Sequence, residues 1–185
     1  LQQRNVLLKN EEEAMDLTLM ELWEEQMVAN GTLIHQKRKT FVEELTPIFN
    51  DFYTRISRSA ESVSLDYVSQ LTDSDFGERL ATNRQRDLIL GHTTVGVHRD
   101  ELEMLLGGYP MKKVGSQGQN KTYFVSLKLA QFNFLLKRGH TVPILLLDDI
   151  FDRLDTHRVE EIVKLVSGPG FGQIFISDTN RQSLD

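Results

Sequence analysis

Ile144-Leu145-Leu146-Leu147-Asp148-Asp149 decides the fold class: four apolar residues in a row, then two carboxylates. A short unbroken apolar run is expected of a strand buried on both faces of a parallel sheet. Acids at the carboxyl end of such a strand lie where α/β sheets bind ligands. Neighbouring strand residues point to opposite sides, so the two acids are expected to have different jobs. Asp148 suits a Mg²⁺ ion, held directly or through water. Asp149 suits orienting or deprotonating an attacking water. The plainer reading is a strand that ends in a solvated acidic turn.

The flanking segments extend this pattern. Downstream, Thr156 to Val166 reads as a helix, and Gln173-Ile174-Phe175-Ile176 as a second buried strand. Upstream, Asn120 to Lys137 carries Phe124, Leu127, Gln131, Phe134 and Leu135 on one helical side. Helix, strand, helix, strand predicts right-handed crossover units and an α/β fold.

Before that helix stands Gly115-Ser116-Gln117-Gly118-Gln119-Asn120-Lys121. A glycine-rich turn feeding a helix start offers free N–H groups and the positive end of the helix dipole. With the Ser116 hydroxyl and the Lys121 ammonium, that set suits a terminal phosphate. The alternative is an ordinary capped turn. The segment is nearly a P-loop, G-x-x-x-x-G-K-[ST], but Asn120 stands where the second glycine belongs and no convincing buried strand precedes it. No other segment matches that motif.

The first half reads differently. Met15, Leu19, Leu22 and Trp23, behind Glu11-Glu12-Glu13, fall at helical spacing; Phe41, Leu45, Ile48, Phe52 and Ile56 form a later stripe past Pro47. Residues 11–58 are therefore expected to form one long helix or a helical hairpin, with Asn30-Gly31 as the possible break. Val63 to Leu71 and Thr93 to Val97 read as strands. Residues 74–90 read as a helix capped by Asp73 or Ser74 and by Gly91. Glu103–Leu106 and Pro110–Val114 flank Gly107-Gly108-Tyr109 as a hairpin.

Composition bounds the function. With 39% hydrophobic residues in 185, the chain can bury a core, which excludes disorder. Zero cysteines exclude disulfides and Cys-based zinc sites, and fit a cytoplasmic protein. The longest apolar run, Val142 to Leu147, is far short of the roughly 20 residues a membrane helix needs. Residues 1–92 hold 10 bases and 16 acids, and residues 93–185 hold 11 of each, so bulk charge indicates no broad nucleic-acid groove. The chain opens at Leu1 without a signal-peptide pattern and reads as a piece of a larger protein. His98-Arg99-Asp100 resembles a kinase catalytic loop without its other parts. The five histidines show no metal spacing, and Lys37-Arg38-Lys39 reads as a solvated helix face.

Together these segments resemble an ABC-type ATPase head, and specifically the RecF family of SMC-like bacterial DNA replication and repair proteins. Gly115-Ser116-Gln117-Gly118-Gln119 is similar to the ABC signature. Asp148-Asp149 ends a Walker B-like strand, and Leu154-Asp155 resembles the D-loop. The family likeness lies in Arg4-Asn5 with Leu7-Leu8-Lys9, in Gly96-x-His98-Arg99-Asp100-x-Leu102, and in Gln119-x-Lys121.

The resemblance implies an α/β architecture (α+β overall), part of a P-loop NTPase head with an inserted helical arm domain. Residues 1–92 would be the arm or lid and residues 93–185 the C-terminal part of the head. The family's Walker A precedes its arm, so this chain would lack one and be inactive alone, while the whole protein would be a weak ATPase. The resemblance further implies an ATP-dependent homodimer. Ser116, Gln117, Gly118 and Gln119 would meet the γ-phosphate held by the partner protomer, Asp155 would lie at the dimer interface, Asp148 would serve Mg²⁺ and Asp149 the water. Such a clamp would act on DNA at single-strand/double-strand junctions and, with RecO and RecR, load the recombinase RecA. Two positions depart from ABC usage: Asp149 replaces the usual Glu, and Asp178-Thr179 stand where a switch His would be. A non-catalytic SMC-like interaction module with a degenerate ABC lobe is the alternative. Retention of both the twin aspartates and the signature favours the ATPase.

Overall fold

The computed structural model describes residues 1–9, 16–58, 61–139, 141–150 and 152–177. Glu11-Glu12-Glu13 and Asp178-Thr179 lie outside the described residues. The elements are α1 (Gln2–Lys9), α2 (Leu17–Ser57), β1 (Val63–Val68), α3 (Phe76–Leu90), β2 (Glu101–Leu106), β3 (Tyr109–Pro110), α4 (Met111–Val114), α5 (Gln117–Arg138), β4 (Leu145–Leu147), α6 (Thr156–Val166) and β5 (Ile174–Ile176). The first three strands are ordered β1-β2-β3, and β4 pairs with β5 in parallel. The chain divides into two compact units, Leu1–Val42 with Asp66–Glu103, and Glu43–Leu65 with Met104–Asp185. That division is interleaved and does not fall at residue 92.

Over the described part of residues 11–58 the hairpin alternative gives way to one helix, Leu17–Ser57. α2 runs unbroken through Gly31 and Pro47 for 41 residues, about 60 Å at 1.5 Å per residue. Its buried stripe in the second unit is Leu45, Phe49, Phe52, Tyr53 and Ile56. Phe49 thus takes the place expected of Ile48, and Phe41 is exposed. Aromatic packing explains the rotation: Phe49 meets the Tyr123 ring of α5 with centroids 4.6 Å apart. The core of the first unit is Leu71, Phe76, Leu80 and Val95, with Met27, Val28 and Val97 against it.

Three expectations are corrected. Thr93 to Val97 is not a strand, because its N–H groups are taken by side chains rather than by a ladder. Thr93 donates to Asn5 Oδ1 at 2.9 Å and Thr94 to Asp87 Oδ1 at 2.9 Å. The hairpin stops at Pro110, which pairs with Leu105 and has no N–H to give; residues 111–114 do not continue it, and Met111–Val114 closes a helical turn sealed by Gly115 N to Met111 O at 2.9 Å. The cap of α3 is Asp75 rather than Asp73 or Ser74, its side chain accepting from Glu78 N at 2.9 Å.

The β4–β5 pair also departs from the reading. Leu145 and Leu147 are buried, but Leu146 is 68% exposed and its register partner Phe175 is 53% exposed. Only one face of this two-stranded sheet is covered by the described residues, so pleat alternation sends Leu146 and Phe175 to solvent.

Candidate functional site

The twin aspartates sit where β4 ends. Asp148 is exposed, and Ser177 Oγ, just past β5, donates to its Oδ1. Asp149 has left the strand: its φ is 47° and its N–H donates to Ser177 O at 3.0 Å. The expected strand alternation therefore does not set the directions of the two acids; a left-handed turn does. Lys121 Nζ, from α5, donates to the main-chain carbonyl of Asp149.

The serine turn starts α5. Ser116 is its N-cap: Ser116 Oγ accepts from Gln119 N at 3.2 Å while Gln119 Oε1 accepts from Ser116 N at 2.7 Å, a reciprocal capping box. Gln119 Nε2 also donates to Glu61 Oε1 at 2.8 Å, so both ends of that side chain are engaged in the fold. The N–H groups of Gln117 and Gly118 belong to the first turn, which has no intrahelical acceptors. Ser116 accepts with a lone pair and keeps its own hydrogen to give.

These two turns abut within one unit. A Cβ on Gly118 would stand 2.8 Å from Arg158 Nη1 and 3.4 Å from Arg153 O, so the start of α5 lies against the segment 153–158. Asp155 caps α6, accepting from Arg158 N at 2.9 Å and pairing with Arg158 Nε at 3.4 Å. The serine turn, Lys121, the aspartate turn and the Asp155 cap thus form one contiguous surface. Among the described residues no cluster of three or more carboxylate or histidine side chains could cage a metal. The exposed Asp148 fits Mg²⁺, an ion that takes one or two carboxylates and completes its shell with water and phosphate oxygens.

Two polar networks were not legible in the sequence. In the first unit Arg4 is fully buried, giving Nε to Glu24 Oε1 at 3.0 Å and Nη1 to Asp87 Oδ2 at 2.8 Å and Thr93 Oγ1 at 2.7 Å. Arg4-Asn5 had a family likeness but no visible role, and the polar stretch holding Asp87 carries no signal of burial. Asp100, with its side chain 2% exposed, accepts from the Tyr67 hydroxyl and from Arg38 Nη1 at 3.0 Å. Arg38 also donates to Val97 O at 2.6 Å, so it is no free solvated base. Burial and the Asp100 hydrogen bond push the Tyr67 phenol up. Partial burial holds His98 below the usual imidazole range. The Arg58 guanidinium holds the Glu161 carboxyl below its usual range.

No family model matches the chain. The fold is nonetheless that of an ABC-type ATPase head of the SMC kind. An SMC head bound to the C-winged helix domain of ScpA superposes with a TM-score of 0.54 over 98% of this chain and 46% of that one, at 13% identity. Solved structures of the recombination mediator protein RecF in the RecFOR pathway, with ATP and with an ATP analogue, superpose with TM-scores of 0.82 and 0.78 at 29% and 28% identity. They are covered to 50% and 52% of their length. The chain is 60% identical over all its 185 residues to the DNA replication and repair protein RecF of Parabacteroides distasonis, and 56% to that of Bacteroides thetaiotaomicron. Over all of its 185 residues the chain is similar to these RecF proteins. It covers 50% of the length of these curated relatives.

Proposed function

We propose that the chain forms the signature and Walker B half of a RecF-type, ATP-dependent DNA clamp, with residues 1–92 serving as its arm and residues 93–185 as part of its head. The observation that carries this reading is that the helix begun by the serine turn reaches the twin-aspartate turn through Lys121, while Gly118 lies against Arg153 and Arg158 of the segment that follows it. Ser116 gives its hydroxyl hydrogen, and Gln117 and Gly118 their N–H groups, to a γ-phosphate held by a second protomer. Gln119 acts by fixing Ser116, since its side chain is engaged at both ends. Arg158 adds a cation beside Gly118, and Asp155 orients it.

Asp148 holds Mg²⁺, which neutralises phosphate charge when bound. Asp149 orients the attacking water, one methylene shorter than the usual glutamate. Because the serine turn contributes only across two chains, ATP favours the dimer, and its hydrolysis removes the contacts that favoured it. Release from single-strand/double-strand junctions, and cooperation with RecO and RecR in loading RecA, follow from the family reading.

The test is Ser116→Arg in the full-length protein, followed by analytical ultracentrifugation with and without ATP. ATP-driven dimers are expected to vanish while nucleotide binding to one chain stays near normal. Full ATP-dependent dimerisation of the variant would sink the role given to Ser116.

A further inference from the structure

The first unit contains six arginines among its described residues. Arg4, Arg38 and Arg84 are paired with carboxylates. Arg79, Arg86 and Arg99 form none of the ion pairs found among the described residues. All three unpaired arginines line one cavity of about 410 Å³, and no carboxylate lines it. They converge there although residues 1–92 carry 16 acids against 10 bases. Gathering like charges is unfavourable unless an anion joins them.

The cavity is built rather than incidental. Arg79, Asn83 and Arg86 fall at i, i+4 and i+7 of α3, on one helix face. The opposite wall returns through Gly91, whose φ of 64° makes the tight turn, to His92 and Thr94. That wall is locked: Thr94 gives both its N–H, at 2.9 Å, and its hydroxyl, at 2.6 Å, to the fully buried Asp87. Gln70 is held by accepting from Gly96 N at 3.3 Å, which leaves its amide hydrogens to donate. Gln70, and Arg79 through its Nε on Ser74 Oγ, are therefore held before any ligand arrives. Only Leu90 and Val95 are apolar in the lining, which holds no Phe, Tyr or Trp; its one imidazole, His92, has Nδ1 2.9 Å from Leu90 O.

We propose that this cavity binds a phosphate of the DNA backbone, through Arg79, Arg86 and Arg99, without reading sequence. This rests on the proposed DNA-clamp function and gives it a contact site. The lining suits a phosphodiester, because its three guanidinium groups match phosphate oxygens and it offers no large apolar slot for a base.

The experiment uses the full-length protein with ATPγS and a fluorescent duplex bearing a single-stranded tail, titrated by anisotropy from 50 to 200 mM salt. The Arg86→Ala/Arg99→Ala variant removes two exposed guanidinium groups that make no ion pairs among the described residues. Its affinity is expected to fall about tenfold, and its salt slope to decrease by about 1 to 2. Arg86→Lys/Arg99→Lys is expected to keep most of the slope. Nucleotide affinity, measured alongside, is expected to be unchanged. Unaltered DNA affinity and slope in the alanine variant, with wild-type binding intact, would overturn the site alone. Loss of nucleotide binding with DNA binding intact would also overturn it, in favour of a free nucleotide. Failure of the wild-type protein to bind DNA would instead overturn the clamp reading beneath it.

Discussion

Arg4 is the residue whose removal should cost most. Its side chain is fully buried between Glu24 and Asp87, and Asp87 is itself 0% exposed. Replacing the cation leaves a buried carboxylate without its counter-charge, a loss of about 3 to 5 kcal/mol. Arg4→Met is therefore expected to lower the denaturant midpoint of the full-length protein sharply. Arg84→Met, whose partner Glu24 keeps Arg4, is expected to cost about 1 kcal/mol or less. Equal midpoints for the two variants would refute this ranking. His98 makes a separate residue-scale prediction. Partial burial lowers its folded-state value, although the carbonyl of Thr93, 3.2 Å from Nε2, works the other way. The unfolded chain thus takes up a proton near pH 6.5 while the folded one does so only at lower pH. Stability supplied by neutral His98 is present above that pH and lost as pH falls. An NMR titration should place its midpoint below the ordinary range, and His98→Gln should flatten this part of the acid response.

The glycines mark what the sequence could convey about the elements. Gly31 was visible as a possible helix end, yet it lies inside α2 because a side chain packs where its Cβ would be. A Cβ there would stand 2.5 Å from Phe76 Cε1, and one on Gly96 2.9 Å from Phe76 Cζ. The Phe76 ring is thus seated against two glycines, and Gly96, at φ 132°, adopts backbone closed to other residues. Gly31→Ala should gain about 1 kcal/mol from helix propensity. Phe76 is buried among Leu71, Leu80 and Val95 and cannot swing aside, so the overpacking cost of about 1 to 3 kcal/mol should win. A higher melting temperature for Gly31→Ala would disprove the seating. That α3, α5 and α6 are helices was legible because helix patterns are local, but the packed face of α5 was not: Phe124, Gln131 and Leu135 of the expected side are exposed, and Tyr123, Val125, Leu129, Ala130 and Phe132 are buried with Phe134. The conformation of residues 93–97 was not, because Asn5 and Asp87, which take those N–H groups, are 88 and 7 positions away. Likewise the Ser116 turn and the Asp148-Asp149 pair could be picked singly, but the link through Lys121 is a tertiary fact.

At the scale of the molecule, the question is what this polypeptide can do by itself. Its 185 residues contain no G-x-x-x-x-G-K-[ST] segment, and the near match at Gly115 is instead the Ser116-capped start of α5, so it does not form the phosphate-wrapping loop. The groups that face nucleotide in the proposed mechanism are the Ser116 hydroxyl, two first-turn N–H groups, Asp148 and Asp149. Those are contributors to a γ-phosphate and its water. None of them encloses the α- and β-phosphates, and a triphosphate held at one end gains little of the positioning on which phosphoryl transfer depends. The isolated polypeptide is therefore expected to show no ATP turnover above background in a phosphate-release assay. Asp149→Asn in the isolated polypeptide should leave that baseline unchanged, whereas Asp149→Asn in the full-length protein should abolish its ATPase. Turnover by the isolated polypeptide that disappears with Asp149→Asn would mean that these residues assemble a complete site, and the composite pocket would have to be abandoned.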